Sequence, residues 1–327
     1  MVLILSRQDI ESILDMKDTM RAVEEAFKQY ALGTIEMPLR TTIRPKDFGG
    51  TFLVMPAFIG GMRALGLKVV TVYPKNPERF GLPTILATIM LNDPETGAPL
   101  AVMDGAYVTA MRTGAVSGVA TKYLARRDAN VAGIFGAGVQ ARTQLWAIAE
   151  ARQLTRAKVF DIDSKRADQF CKEMSEKLGI EVVRSGSAED TIKGSHIIAT
   201  ATTSKTPIFE GRWLEPGMHV NGIGSHSPDA RELDTETIRR CKIVVDQREA
   251  ASKEAGDLMT PVAEGAITWE SIHAELGEIV TGRKPARTSE SEITLFKSVG
   301  LALQDISTAQ MVYQLAKERH VGKNIDI

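Results

Sequence analysis

The chain is poor in cysteine, in excess charge of either sign and in long apolar runs. Only Cys171 and Cys241 occur, with no CxxC pair and no Cys/His cluster. That argues against a disulfide framework and against a zinc site, so no metal is expected, and it suits a reducing cytoplasm. The 40 basic and 41 acidic side chains leave a net charge of −1 with no basic block, so nucleic acid is not a favoured partner. No stretch approaches the roughly 20 apolar residues of a membrane helix, and no membrane association is expected. The first residues, MVLILSRQDIESIL, lack a basic start and a long apolar core, so a signal peptide is not expected. No internal repeat or low-complexity segment stands out. What remains is an ordinary globular composition, 43% apolar and 25% charged over 327 residues, long enough for two domains with real cores.

The most informative stretch is VAGIFGAGVQA at 131–141 with AKVFDID at 157–163. A β-type run, Val131–Phe135, leads into Gly136-x-Gly138-x-x-Ala141, which opens an apolar helix. A second strand-like run ends on Asp161. Gly136 permits a tight turn, Gly138 lets the backbone approach a pyrophosphate, and Ala141 keeps the helix close to the strand. The helix N-terminus offers free N–H groups and a positive dipole end to phosphates. Asp161 can accept hydrogen bonds from ribose hydroxyls and would repel a 2′-phosphate, which favours NAD over NADP.

Around this motif the pattern changes twice. Residues 6–32 look helical, with Ser6 and Asp9 as a cap pair and Gly33 as a C-cap. Runs at 51–59, 65–73 and 83–91, separated by Gly, Pro and Asn-Asp-Pro clusters, read as strands of a mixed or antiparallel sheet. The small apolar run 105–125 fits a tightly packed helix. From 131 onward strands are expected at 131–135, 157–161, 181–184, 196–200, 218–223 and 242–246, with helices between most of them. This is a Rossmann-type, doubly wound parallel sheet, joined to an α+β N-terminal domain. Residues 290–318 read as one or two amphipathic helices.

Several polar residues stand out. Lys68, inside LGLKVV, is either an outward-facing strand residue or a buried amine available for proton transfer. Arg112, among small residues in TAMRTGA, needs a partner: a bound carboxylate or phosphate, or a domain-interface salt bridge. Arg40 in MPLRTTIR is a second cation. The loop GIGSHSPDARELD follows a strand end, where doubly wound sheets bind ligands, so His226 and Asp229 are placed to face a nicotinamide; Asp229 can instead cap the next helix. Thr200 and Thr202 follow another strand end and would lie near the adenosine half of a dinucleotide. Ser298 and Gly300 can approach the nicotinamide from the C-terminal segment.

MPLR, VMPA, LGLKVV, MRTGAVSG, GIFGAGVQA, VNGIGSHSPDARELD and ITLFKSVGLALQD together make the chain resemble the ornithine cyclodeaminase/μ-crystallin family, over nearly its whole length. The resemblance implies a substrate-binding and dimerisation domain from residues 1–115 and 301–327, a dinucleotide-binding domain from 116–300, and a homodimer. It implies that Arg40, Lys68 and Arg112 hold the substrate, with Lys68, His226 and Asp229 as catalytic candidates. Arg112, Thr113, Gly136, Ala137, Gly138, Val139, Gln140, Ala141, Asp161, Thr200, Thr202, Gly224 and Ser298 would contact the NAD. Two positions depart from the ornithine cyclodeaminases: an Asp of their glycine-rich loop is here His226, and a Glu three residues before the Pro of the MP motif is here Leu53. Two acids suit a substrate with two amines, and replacing a buried carboxylate by Leu removes about 1.5–3 kcal/mol of charge-assisted bonding. SHSPDARELD looks more like the alanine dehydrogenase and ketimine reductase branch. The expected activity is therefore NAD-dependent oxidoreduction at the C–N bond of a small amino or imino acid, in the cytoplasm. The alternatives are ornithine cyclodeamination, a lyase reaction, and μ-crystallin-like ligand binding without turnover.

Overall fold

The computed structural model describes residues 1–326. The chain divides into two compact units: Met1–Arg112 with the segment from Leu301 onward, and Thr113–Gly300. The first unit opens with β1 (Val2–Leu5), α1 (Arg7–Ile13) and α2 (Met16–Ala31). Residues 6–32, read as one helix, are two. Ser6 and Asp9 do form a capping box on α1, but Leu14 is extended and Asp15 caps α2 by accepting from the Asp18 N–H. A second side-chain cap inside the run gives the backbone an alternative to continuing the helix.

There follow β2 (Ile35–Glu36), β3 (Thr41–Ile43), β4 (Thr51–Ile59), β5 (Ala64–Val72), α3 (Asn76–Phe80), β6 (Ile85–Asn92) and β7 (Pro99–Asp104). The long strands β4, β5, β6 and β7 pair antiparallel in sequence order, while β1 lies parallel to β7. The sheet is thus mixed. α4 (Gly105–Leu124) is buried along most of its length, as its uniform small apolar residues require.

The second unit is built on β8 (Val131–Phe135), α5 (Val139–Ala151), β9 (Arg156–Phe160), α6 (Ser164–Leu178), β10 (Glu181–Arg184), α7 (Ala188–Ile192), β11 (Ile197–Thr200), β12 (His219–Gly222), α8 (Thr235–Arg240), β13 (Lys242–Val245), α9 (Arg248–Glu254), α10 (Gly256–Ala263), β14 (Ile272–Glu275), α11 (Leu276–Val280) and β15 (Thr294–Lys297). The sheet order is β10-β9-β8-β11-β12-β15-β13-β14, every pairing parallel. Strand order reverses between β8 and β11, the switch point at which such sheets bind ligands beyond their carboxyl ends. Residues 294–297, read as helix, are instead a central strand between β12 and β13. TLFK is buried at all four positions, so it shows none of the alternation that marks a half-exposed strand.

The chain then returns to the first unit with α12 (Ala302–Arg319) and β16 (Lys323–Ile325), which pairs with β1. α12 packs on α2 and across β4, β5 and β6. Its first two turns, Ala302–Ala309, are wholly buried and carry Gln304 and Asp305 inward with the apolar residues. No helix among the described residues is long and apolar enough to cross a membrane.

Candidate active site residues in the two units

In the first unit, Lys68 sits mid-strand in β5, between two antiparallel neighbours, opposite Met55 and Ile89. It is 1% exposed, so it is the buried amine and not an edge residue. Its Nζ lies 2.7 Å from Asp305 Oδ2, a fully buried ion pair. Arg112 Nε donates to the other oxygen, Oδ1, at 2.9 Å, and Arg112 Nη1 donates to Gln304 Oε1 at 2.6 Å. Arg40, half-buried just before β3, adds its charge to the same neighbourhood. Burial pushes Lys68 down, Asp305 opposes, and the cations Arg112 and Arg40 push it further, to about 7. A lysine there exchanges its proton near neutral pH.

In the second unit, the turn after β8 has the shape its sequence demands. Gly136 has φ +97°, and a Cβ there would lie 2.6 Å from the Ala201 carbonyl oxygen. Gly138 caps α5 with no side-chain hydrogen bond. A Cβ on Gly138 would meet only Arg166 Nη2, at 3.7 Å. Uncapped helix N–H groups, open space and a nearby guanidinium form a cradle for an anion. Ala137 and Ala141 are buried, Gln140 is half-buried and Val139 is exposed. Asp161 is oriented by the turn itself: Oδ2 accepts the Ala137 N–H at 2.7 Å and Oδ1 the Asp163 N–H at 2.9 Å. Thr113 is buried, and its carbonyl accepts from Gln144 Nε2 at 2.9 Å.

Thr200, Thr202 and Gly224 converge on one residue the sequence did not flag. Glu232, fully buried, accepts from Thr200 Oγ1 at 2.7 Å, the Thr202 N–H at 2.6 Å, Thr202 Oγ1 at 2.7 Å and the Gly224 N–H at 2.7 Å. It ties the loop after β11 to the loop after β12. The backbone N–H groups of Glu232 and Leu233 in turn donate to Asp257 Oδ1 at 2.7 and 2.9 Å. Asp257 Oδ2 lies 2.9 Å from Lys297 Nζ, at the end of β15, both fully buried. Burial raises the Glu232 carboxyl above its ordinary range, against the pull of Lys297. Ser298 donates to Asp246 Oδ2 at 2.8 Å, and the Val299 and Gly300 N–H groups donate to the same oxygen.

His226 and Asp229 are exposed in the loop after β12. Asp229 accepts from Ser227 Oγ at 2.8 Å and lies 3.5 Å from Lys205 Nζ. It does not cap the next helix; Asp234 does. Asp305, Glu232, Asp257 and Asp246 all escaped sequence reading. Of these only Asp305 had a local signal, the Gln-Asp pair in the apolar run LALQDIS.

A profile of the ornithine cyclodeaminase/mu-crystallin family matches residues 2–320. The chain belongs to that family. Alanine dehydrogenase of Archaeoglobus fulgidus is 40% identical over 326 residues, covering 99% of this chain and 98% of that protein. The structure of Thermococcus litoralis Delta(1)-pyrroline-2-carboxylate reductase in complex with NADH and L-proline superposes with a TM-score of 0.96 at 51% identity, covering 99% of this chain and 100% of the other. An archaeal alanine dehydrogenase dimer with bound NAD matches with a TM-score of 0.94 at 41% identity, over 100% and 99% of the two chains.

Proposed function

We propose that this family member is an NAD-dependent oxidoreductase acting at the C–N bond of a small amino acid, reducing a 2-imino acid or a cyclic imine carboxylate and running the reverse oxidation. The observation that carries the reading is the buried Lys68 beside Arg112: a group that exchanges a proton near neutral pH next to a fork that grips a carboxylate. Relatives named alanine dehydrogenase and Delta(1)-pyrroline-2-carboxylate reductase, and the complex of one such reductase with NADH and L-proline, support it.

The anion cradle at Gly136–Ala141 fits the pyrophosphate, and Asp161 fits the adenosine ribose. The exposed side chains of Val139 and Ile162 offer apolar surface beside them. The bound nicotinamide supplies or takes up a hydride at the substrate α-carbon. Arg112 and Arg40 hold the α-carboxylate. Lys68 delivers the proton to the imine nitrogen in reduction and removes it from the ammonium in oxidation. Glu232 keeps the Thr200–Thr202 and Gly224 loops in place around the cofactor, while His226 and Asp229 line its approach. Positioning and charge complementarity supply most of the acceleration.

The first unit binds substrate and dimerises, the second binds the dinucleotide. Exposed Ile43, Phe48 and Phe80 on the first unit are apolar surface that a second copy would cover, in line with the dimeric relative. The two free cysteines fit a cytoplasmic setting.

The test is a substrate panel read by nicotinamide absorbance: NADH with pyrroline-2-carboxylate or with pyruvate plus ammonia, and NAD with L-proline or L-alanine. Turnover in at least one pair is expected. No change in NADH with any of them defeats the reading, and proline formed from ornithine with no net NADH would replace it by cyclodeamination.

A further inference from the structure

We propose that Asp305 is a positioning residue that holds Lys68 as the ammonium from which the substrate's imine nitrogen is protonated. The inference rests on the role given to Lys68 above. Lys68 has buried Met55 and Ile89 as its cross-strand neighbours. The charged groups that face it come from three segments: Asp305 from α12, Arg112 from α4, and Arg40 from the segment before β3. Burial and both guanidinium groups favour the neutral amine. Asp305 is the only anion among those neighbours and the only one that favours the ammonium. It divides its two oxygens between the cations, Oδ2 facing Lys68 at 2.7 Å and Oδ1 taking Arg112 Nε at 2.9 Å. Gln304, next to it on α12, takes Arg112 Nη1 at 2.6 Å. Two adjacent residues of one buried helical turn thus orient both the proton donor and the carboxylate-binding fork.

In reduction, an N–H bond of the Lys68 ammonium breaks as an N–H bond forms at the imine nitrogen. The hydride from the reduced dinucleotide adds to the carbon, the amine leaves, and solvent returns a proton to Lys68. Asp305 acts through Lys68. Without its charge, Lys68 keeps the burial and both guanidinium neighbours and loses its proton at lower pH. The alkaline fall of kcat/KM for imine reduction then moves to lower pH, and the acid-side rise of amino acid oxidation moves the same way.

The experiment compares wild type, Asp305→Asn and Asp305→Glu in both directions across pH, together with a ¹³C NMR titration of Lys68 Cε, whose resonance is identified by its loss in Lys68→Met. In Asp305→Asn, both limbs and the Lys68 midpoint should move down by about one pH unit or more, a tenfold change in proton affinity. The lost reduction rate should return as pH is lowered, and Asp305→Glu should hold the midpoint near that of wild type. An unmoved midpoint with a rate loss uniform in pH overturns the proposal. If Asp305→Asn does not fold, the wild type decides: the Asp305 Cγ resonance should inflect at the Lys68 midpoint and lose that inflection in Lys68→Met. A missing inflection overturns the proposal. Absence of turnover by wild type in either direction defeats the functional reading instead, and the titration still decides whether Asp305 holds Lys68.

Discussion

Each unit buries one lysine against one aspartate, Lys68 with Asp305 at 2.7 Å and Lys297 with Asp257 at 2.9 Å. The pairs differ in what stands next to them. Beside Lys68 are two more cations, Arg112 and Arg40. Beside Lys297 is a second carboxylate, Glu232, whose oxygens are taken up by backbone and threonine donors. Excess positive charge among buried side chains favours an anion and loosens a lysine proton. Excess negative charge surrounded by N–H and O–H donors makes a brace. On the proposed function, the sign of the third charge separates a chemical site from a structural one built of the same two residues.

Breaking the brace should have the largest effect. Lys297→Met leaves Asp257 buried without its cation, and should cost about 3–5 kcal/mol in denaturant unfolding. A loss of stability no larger than that of a surface substitution would count against the brace. Lys68→Met leaves Asp305 still paired with Arg112, so its stability loss should be smaller. Its kcat should fall by about 10²-fold or more with NAD affinity nearly unchanged. Near-normal turnover would return Lys68 to structure alone.

The two lysines should also differ in pH dependence. Lys68 is lowered in the folded protein from 10.5 to about 7. A depressed folded value means that the native state resists protonation. Lys68's contribution to stability is therefore fully present above the unfolded value and lost as pH falls from about 10.5 towards 7, by at most about 1.4 kcal/mol per pH unit. The unfolding free energy of wild type minus that of Lys68→Met should decline over that window, and a flat difference would contradict the assignment. The smallest effect is expected at Asp161→Ala, which removes a partly exposed acceptor. NAD binding should weaken by about 1 kcal/mol and relative use of NADP should rise. Equal effects on both cofactors would show that Asp161 serves only to hold the Ala137 N–H.

The turn, helix and strands between residues 131 and 160 were legible because their signals are contiguous. Gly136, Gly138, Ala141 and Asp161 act through local backbone shape, and the strands flanking them are adjacent in the sheet. The buried carboxylates were not legible, because each acts at long range. Asp305 meets Arg112 across 193 residues of chain, and Glu232 reaches Thr200 across 32; a single acid in a helix or loop carries no mark of such a partner. β15 was missed for a related reason: a run as short as Thr294–Lys297 fits helix or strand equally well until a slot between two strands selects one.

By itself the sequence determined the two-domain composition, the turn, helix and strand of the dinucleotide motif, and the presence of an unusual lysine in an apolar strand. These are properties of neighbouring residues, set by glycine sterics and side-chain periodicity. Only the tertiary structure decided whether that lysine faced solvent or a carboxylate, because that depends on α12 returning from the far end of the chain. It also decided that His226 and Asp229 stand exposed while Glu232 is buried and fully bonded. Desolvation and charge pairing depend on neighbours in space, and sequence order does not reveal which those are.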